Sequence, residues 1–572
     1  TAKPYINLHG HTNFSVQDGH ALVNDYVQRA AALDHPAVAM TDHGNMAAAP
    51  SFLRAAKSAG IKPIVGLEAY TTAGYSHQIK DGDHRKAHHL TLLAMNQVGY
   101  KNLAQMSTLG FTDGFYYHPR IDRDILHSHR EGVICLSGCI ACELALYVLN
   151  GEDQRATDLL TFYHETFGEN FYLELQNHGP LIPDQIVLNK ELVQMARKYG
   201  IPVVGTNDSH FCQFQDAPAH KVLMEIKGKG GLKSSPYTYV RSNEEMAMAF
   251  PDRALWHTLE IGEKIETYDL GDPVPKLPIS PLEGHNNTDP GIVLATLVRD
   301  GLQRRLDCSW ADVPWDYEAR MDEELSVIAE MGRKLGVPFE RYLLIMADIA
   351  RFCKEERIRF ASRGSAAGAL VCWALGISEP DPLKEDLIFE RFLNKDRIEL
   401  PDVDLDFQDS KRHLVLQYMI DTYGDANVAR IGTYSAIGAR GAIRDAARIR
   451  QYDISKNYVV FANEMTSHIP HDTRPGGMPL DEVLAIEDGK LAEMVVNDPD
   501  AKTVIDTAMQ LNGRMRGTST HAAGVVIGDQ PLIDILPLMR VSNPEKETIK
   551  QQTQYEMGEL ESLGLLKFDI LG

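Results

Sequence analysis

Apolar residues come in short runs through the first two hundred positions, and the runs stop on polar side chains. Tyr5-Ile6-Asn7-Leu8 leads to His9-Gly10-His11, Met40-Thr41 to Asp42-His43, and Ile61 to Leu67 to Glu68. His89 borders Leu90 to Leu93, Leu136-Ser137-Gly138 leads to Cys139, and Ile201 to Asn207 leads to Asp208-Ser209-His210. Runs of this length with helical stretches between them predict strands alternating with helices. That order is the signature of a (β/α) barrel. Later the pattern changes to strict alternation, in Leu400-Pro401-Asp402-Val403-Asp404-Leu405-Asp406-Phe407. Alternate side chains of a strand share a face, so the aspartates point one way and Val403 and Leu405 point into a core. Arg363-Gly364-Ser365-Ala366-Ala367-Gly368 predicts a small-residue turn opening the apolar helix Ala369 to Leu375. The chain closes on Gly564-Leu565-Leu566-Lys567-Phe568-Asp569-Ile570-Leu571, a strand with one internal carboxylate.

Aligned carboxylates with no lysine between them repel one another, and hard oxygen ligands suit Mg²⁺. Magnesium on strand-borne aspartates is a common apparatus for phosphoryl and nucleotidyl transfer. The bland alternative is an edge strand with a solvated acidic face. The turn at Arg363 to Gly368 shifts the balance. Backbone N–H groups at a helix start attract anions, and Arg363 adds a fork of donors. Asp569 supplies a third carboxylate, in apolar surroundings where a lone charge is costly unless it binds metal. Arg440, Arg444 and Arg448, spaced i, i+4, i+8, predict one basic helical stripe, either a solvated face or a phosphate contact.

The ligand-bearing run ends number nine with the loop residue Asp18: His9, His11, Asp18, His43, Glu68, His89, Cys139, Asp208 and His210. A (β/α) barrel carries its chemistry at the C-terminal ends of its strands. Imidazole, carboxylate and thiolate together suit Zn²⁺, Mn²⁺ or Fe²⁺. One buried histidine is usually a satisfied core residue, but a set in phase with strand ends is poorly explained that way. Cys139-Ile140-Ala141-Cys142 has no second pair, which excludes a zinc knuckle and leaves Cys142 incidental. His88 is expected on the face opposite His89.

The 572 residues call for several domains. No run is apolar enough for a membrane helix. The first residues enter a strand directly, and seven cysteines make no disulfide scaffold, so a cytoplasmic protein is expected. The formal charge of -22 argues mildly against nucleic-acid binding, although metal-binding carboxylates contribute to it.

Together these residues resemble the bacterial C-family replicative DNA polymerases along essentially the whole chain. The resemblance implies a multi-domain α/β protein. Residues 1–270 would form a polymerase-and-histidinol-phosphatase (PHP) barrel, 271–430 and 515–572 a nucleotidyltransferase-like palm, and 431–514 an inserted helical thumb. Asp404 and Asp406, with Asp569, match the catalytic carboxylates, and Asp402 becomes a neighbour. Arg363, Gly364, Ser365, Lys567 and Arg391 (within Phe389-Glu390-Arg391-Phe392) match positions near the incoming nucleotide. His521 to Ile527 matches a palm strand. All nine PHP metal positions are matched, implying Zn²⁺ or Mn²⁺ there and Mg²⁺ in the palm. The implied function is DNA-directed DNA polymerisation with a 3′–5′ exonuclease in the PHP domain. The implied partners are primer-template DNA, dNTPs and, through regions beyond Gly572, a sliding clamp. Phe360-Ala361-Ser362 stands where the family carries Gly-Pro-Gly, which stiffens the loop. Family members continue into fingers and C-terminal domains, so a second chain carrying those parts is an expected partner. The alternative is a metal-dependent phosphoesterase or exonuclease whose palm is inactive until so completed.

Overall fold

A computed structural model describes residues 3–16, 18–226, 235–271, 274–284, 289–336, 338–395, 403–474 and 477–572. Asp402 lies outside the described residues. The chain divides into two compact units, residues 1–269 with 434–518, and residues 270–433 with 519–572.

The first unit is built on strands β1 (Ala37–Met40), β2 (Lys62–Thr71), β3 (His88–Ala94), β4 (Phe115–Tyr116), β5 (His118–Ile121), β6 (Val133–Leu136), β7 (Phe171–Gln176) and β8 (Val203–Thr206). Their order is β4-β5-β2-β3-β6-β7-β8, with β1 also on β2. Several are apolar throughout, as strands covered on both faces must be; all four residues of β1 and of β6 are buried. The expected strand from Tyr5 to Thr12 is instead a connector that changes partner midway. Asn7 bridges Val38, and Gly10 bridges Ser209. Ala39 N–H donates to the Asn7 carbonyl and His11 N–H to the Ser209 carbonyl, joining β1 to the end of β8 and closing the curl. A segment that splits its hydrogen bonds between two neighbours cannot build a ladder with either. Ile6, Leu8, Ala39, Ile64, Leu136, Tyr172 and Val204 share one buried cluster inside the curl.

The curl departs from a purely parallel barrel at β3, which runs antiparallel to both β2 and β6. Its first residues therefore lie at the rim where the other strands end. His89 reaches that rim from the start of its strand.

The helices Ala439–Ile449, Tyr458–Ser467, Leu480–Leu484, Lys490–Asn497 and Pro499–Leu511 complete this unit. Ala442, Ile443, Ala446 and Ala447 on the first of them pack into a core with Val504, Ala508 and, from helix Ala217–Ile226, Val222 and Leu223. The small side chains let the helices approach closely, and the arginines of Ala439–Ile449 fall on the opposite, exposed face.

The second unit holds β9 (Phe360–Arg363), β10 (Asp404–Phe407), β11 (Val428–Ala436), β12 (Met515–Ile527), β13 (Leu538–Arg540), β14 (Gln551–Thr553) and β15 (Lys567–Leu571), in the order β13-β14-β11-β12-β15-β10-β9. The unit boundaries fall inside β11 and β12. Val403, Leu405, Phe407, Phe568 and Ile570 share a core with Tyr342, Leu343 and Ile345 of helix Phe339–Glu355. Tyr342 stacks on Phe568 with ring centroids 5.1 Å apart. One face of β10 and β15 is thereby committed to the core, and the period of two sends Asp404 and Asp406 to the other.

Gly301 of helix Pro290–Leu306 sets how closely that helix meets the short helix Leu370–Ala374: a Cβ there would lie 2.1 Å from the Ala374 carbonyl oxygen. Gly301→Ala is expected to destabilise the second unit by about 1–3 kcal/mol through overpacking against backbone. Equilibrium urea denaturation checks this; an unchanged midpoint would mean the two helices separate freely.

Candidate functional site

At the rim of the first curl the side chains converge on Glu68, which is 1% exposed. Its oxygens lie 3.2 Å from His9 Nε2, 3.7 Å from His11 Nε2, 2.5 Å from His43 Nδ1 and 3.1 Å from His89 Nδ1. Asp208 Oδ1 is 3.3 Å from His9 Nε2, 3.1 Å from His11 Nε2 and 3.6 Å from His210 Nδ1. Asp18 Oδ1 is 2.9 Å from His43 Nε2 and 3.8 Å from His210 Nε2. Cys139 Sγ is 3.4 Å from His89 Nδ1. All nine sequence-selected side chains thus belong to one continuous cluster. His88 is buried away from it, and burial pushes its imidazole down to about 4. Cys142 caps helix Glu143–Leu149, its sulfur accepting from Ala145 N–H at 3.2 Å.

The cluster fits metal ions. Ligand atoms of His9, His11, Glu68 and Asp208, of His11, His43 and His210, and of His43, Glu68 and His89 lie within 4.8 Å of one another in each group. His9 Nε2, His43 Nδ1 and both Glu68 oxygens are buried and crowd one another without a well-aligned hydrogen bond, an arrangement that a bound cation would satisfy. Burial works to raise the Glu68 carboxyl, but the His89 and His43 imidazoles outweigh it and hold it well below its usual range. Burial, then His43 and His210, push His11 down to about 3, the neutral form a metal requires. Burial, with Glu68 and Asp208, raises the Cys139 thiol well above its usual value, so the thiol would ligate only with a metal to drive off its proton. The mixed N, O and S donors suit Zn²⁺ or Mn²⁺.

Three buried residues that the sequence reading missed support this cluster. His9 Nδ1 lies 2.6 Å from Glu174 Oε1, and His11 Nδ1 lies 2.9 Å from Ser15 Oγ, which donates to Asp42 Oδ1 at 2.7 Å. For Glu174 a signal existed: in the buried strand Phe171–Gln176 its polar residues alternate with Leu173 and Leu175.

In the second unit the parallel pairing of β10 with β15 sets Asp404 opposite Asp569, and antiparallel β9 sets Arg363 opposite Asp404. Arg363 Nε is 2.7 Å from Asp406 Oδ2, and Lys567 Nζ is 2.6 Å from Asp569 Oδ2. Asp406 Oδ1 and Asp569 Oδ1 are buried with no hydrogen-bond partner. Burial, then the hydrogen bond and charge of Asp569, raise the Asp404 carboxyl above its usual value. These are the marks of crowded carboxylates, and their oxygens suit Mg²⁺. Gly364 adopts φ +68°, and a Cβ on it would come within 3.9 Å of Asp404 Oδ2, so the turn passes close over the carboxylates.

The predicted anion cradle differs in one respect. Residues Gly364–Gly368 form a 3-10 turn, and only then does helix Leu370–Ala374 begin. Its first N–H groups are already taken: Leu370 N–H and Val371 N–H each donate to the buried Glu324 carboxylate at 2.9 Å. A carboxylate from helix Trp315–Leu335 has claimed the helix end, which leaves Arg363, Gly364 and Ser365 to meet an anion. Arg391 is exposed in the 3-10 turn Phe389–Arg391. Arg440, Arg444 and Arg448 share the exposed face of Ala439–Ile449, with Arg440 donating to the Ile469 carbonyl at 2.7 Å and Arg448 3.3 Å from Asp445. Arg430 is buried beside Glu547 at 2.8 Å.

A closed curl lined with side chains that could hold metal, joined in one chain to a mixed sheet carrying three aspartates, defines a PHP-bearing polymerase-type protein. Residues 7–178 match the profile of the PHP domain, and residues 292–572 that of the bacterial DNA polymerase III alpha NTPase domain. The chain belongs to the DNA polymerase III alpha family. It is 37% identical to the DNA polymerase III subunit alpha of Borreliella burgdorferi, over 99% of this chain and 48% of that one. The corresponding subunits of Aquifex aeolicus and Thermus aquaticus are 35% and 36% identical, over 100% and 99% of this chain and 51% and 50% of theirs. The chain thus spans about half the length of the curated relatives it matches. Among the described residues no helix is long and apolar enough to cross a membrane.

Proposed function

We propose that this chain carries the nucleotidyl-transfer centre of a DNA-directed DNA polymerase, and beside it in the sequence a metal-dependent 3′–5′ exonuclease centre. The observation that carries the reading is the in-register pairing of Asp404 with Asp569, flanked by Arg363 and Lys567. In this reading residues 271–430 and 515–572 act as palm and 431–514 as thumb. Asp404, Asp406 and Asp569 would hold Mg²⁺, which when bound lowers the pKa of an attacking hydroxyl and neutralises phosphate charge. Arg363 and Lys567 would exchange a carboxylate for the incoming triphosphate, with Ser365 and Arg391 as further polar contacts. Gly364 leaves the turn free to approach the nucleotide. Arg440, Arg444 and Arg448 would meet the phosphates of the duplex. In the first unit His9, His11, Asp18, His43, Glu68, His89, Cys139, Asp208 and His210 would hold Zn²⁺ or Mn²⁺ against a terminal phosphodiester. Primer-template DNA and dNTPs are the substrates of this reading, and it places the chain in the cytoplasm. A further chain with fingers and a clamp-binding region is its expected partner.

The test uses a 5′-labelled primer on a template with Mg²⁺, Mn²⁺ and four dNTPs. Extension by the chain alone, or after addition of the downstream half of a relative, supports the polymerase reading. Shortening of the primer, abolished by chelation and never replaced by extension, would leave only the exonuclease.

A further inference from the structure

Both imidazoles of the His9-Gly10-His11 pair turn Nε2 toward Glu68 and Asp208, and both have Nδ1 engaged on the far side. What engages them is unusual in cost. Glu174 is a fully buried carboxylate on β7, and no arginine or lysine pairs with it among the described residues. It accepts from His9 Nδ1 at 2.6 Å, Thr206 Oγ1 at 2.5 Å, Gln176 Nε2 at 2.8 Å and Gly138 N–H at 3.1 Å. A carboxylate is acceptor-only, so Nδ1 keeps its proton toward Glu174, and Nε2, which faces the carboxylates of Glu68 and Asp208, is the nitrogen that would release its proton to a metal. At His11 the deduction takes one more step. Ser15 Oγ lies 2.7 Å from the buried Asp42 Oδ1, and Asp42 already accepts from Thr12 N–H and the Thr12 hydroxyl, each at 2.7 Å. The single hydroxyl proton of Ser15 therefore goes to Asp42. Ser15 Oγ can only accept from its other neighbours, His43 N–H at 3.1 Å and His11 Nδ1 at 2.9 Å. With a metal on Nε2, His11 would donate from Nδ1 as His9 does, through a relay in place of direct contact; without one, Asp208 Oδ1 at 3.1 Å competes for the His11 proton at Nε2.

We infer that Glu174 and the Ser15–Asp42 pair are positioning residues of the N-terminal centre: each holds the Nδ1 side of one imidazole of the His-Gly-His pair, away from the metal-facing atoms, with Nε2 presented for metal. The inference rests on the reading of that cluster as a metal centre. Partners of this kind orient ligating histidines and raise their basicity, and removing them weakens metal binding by about 10–100-fold.

The test measures Zn²⁺ affinity of the whole chain by competition with a chromogenic chelator, for the parent chain, Glu174→Gln and Ser15→Ala. The second variant removes one hydroxyl and keeps the fold available for measurement should the first not fold. Nitrogen-15 NMR of the imidazoles in the Zn²⁺-loaded protein reports which ring nitrogen holds the metal, which a merely structural role would not move. The expected result is Zn²⁺ affinity lower by about 10–100-fold in each variant. His9 should lose its exclusive Nε2 coordination in Glu174→Gln, and His11 in Ser15→Ala, with each other ring unchanged. Parent-like affinity, or unchanged coordination at both rings, in a chain whose parent binds Zn²⁺ would overturn the inference alone. A parent chain that binds no divalent metal would overturn the metal-centre reading and the inference with it.

Discussion

An Asp404→Asn chain is expected to lose nucleotide incorporation by about 10³-fold or more while melting no lower than the parent in the absence of metal. The first half follows from the loss of one carboxylate ligand, since charge stabilisation by a bound cation supplies several kcal/mol. The second half follows from the sign of the Asp404 shift. Burial, the hydrogen bond to Asp569 and its charge all raise the Asp404 carboxyl. A carboxyl raised in the folded state contributes stability below its unfolded pKa and loses that contribution as pH rises through the folded value. At pH 7 the ionised pair is therefore a cost, and asparagine removes it. Calorimetry in Mg²⁺ and in chelator separates the outcomes: the parent gains stability from metal, and the variant gains less. An Asp404→Asn chain that still extends primers at the parent rate, alone or with a complementing half, would remove Asp404 from the catalytic set.

Glu68→Gln carries the second large effect. Glu68 faces four imidazoles from a fully buried position, and burial alone would keep those of His9, His11 and His43 neutral. For His43, burial is outweighed by Asp18, Tyr70 and Glu68, which hold its imidazole well above the usual value. A histidine raised in this way contributes stability below its unfolded pKa and loses it as pH rises through the folded value. Removing Glu68 from the metal-free chain leaves buried charge uncompensated, expected to cost about 3–5 kcal/mol near pH 6 and less at higher pH. With metal present, the loss of an oxygen shared by so many imidazoles is expected to empty the centre. Metal content after gel filtration and the melting temperature across pH 6 to 9 check both parts, and parent-like values in both would contradict the convergence on Glu68.

Much of the ligand cluster was legible because strands carry chemistry at their ends, and an apolar run that stops on histidine or glutamate advertises this. His89 was found by the same rule for a different reason: it begins its strand, and only the reversal of β3 brings it to the rim. Direction of pairing is not written in a period of two. The aspartates of β10 were legible from alternation, since Leu405 and Phe407 had to face a core. Glu324 was not. It sits on a long helix among other charged residues, and its task of capping Leu370–Ala374 depends on a contact 46 residues away. Glu174 and Asp42 escaped because a sequence lists ligands and cannot say which acid stands behind a ring.

The pairing of Asp404 with Asp569 joins positions 165 apart in the chain (569 minus 404), and everything in the inserted helical segment lies between them. Lengthening the intervening loop adds little to the entropy of closure, but such distant contacts make folding slow. During synthesis β10 must wait, its edge unpaired and two acidic groups exposed, while some 160 residues emerge and the helical segment finds its core. The charge on Asp404 and Asp406 then has a second use. Like charges on a waiting strand discourage it from pairing with the same strand of a neighbouring nascent chain, so the groups that would bind metal in the finished molecule also guard it from aggregation while it is unfinished.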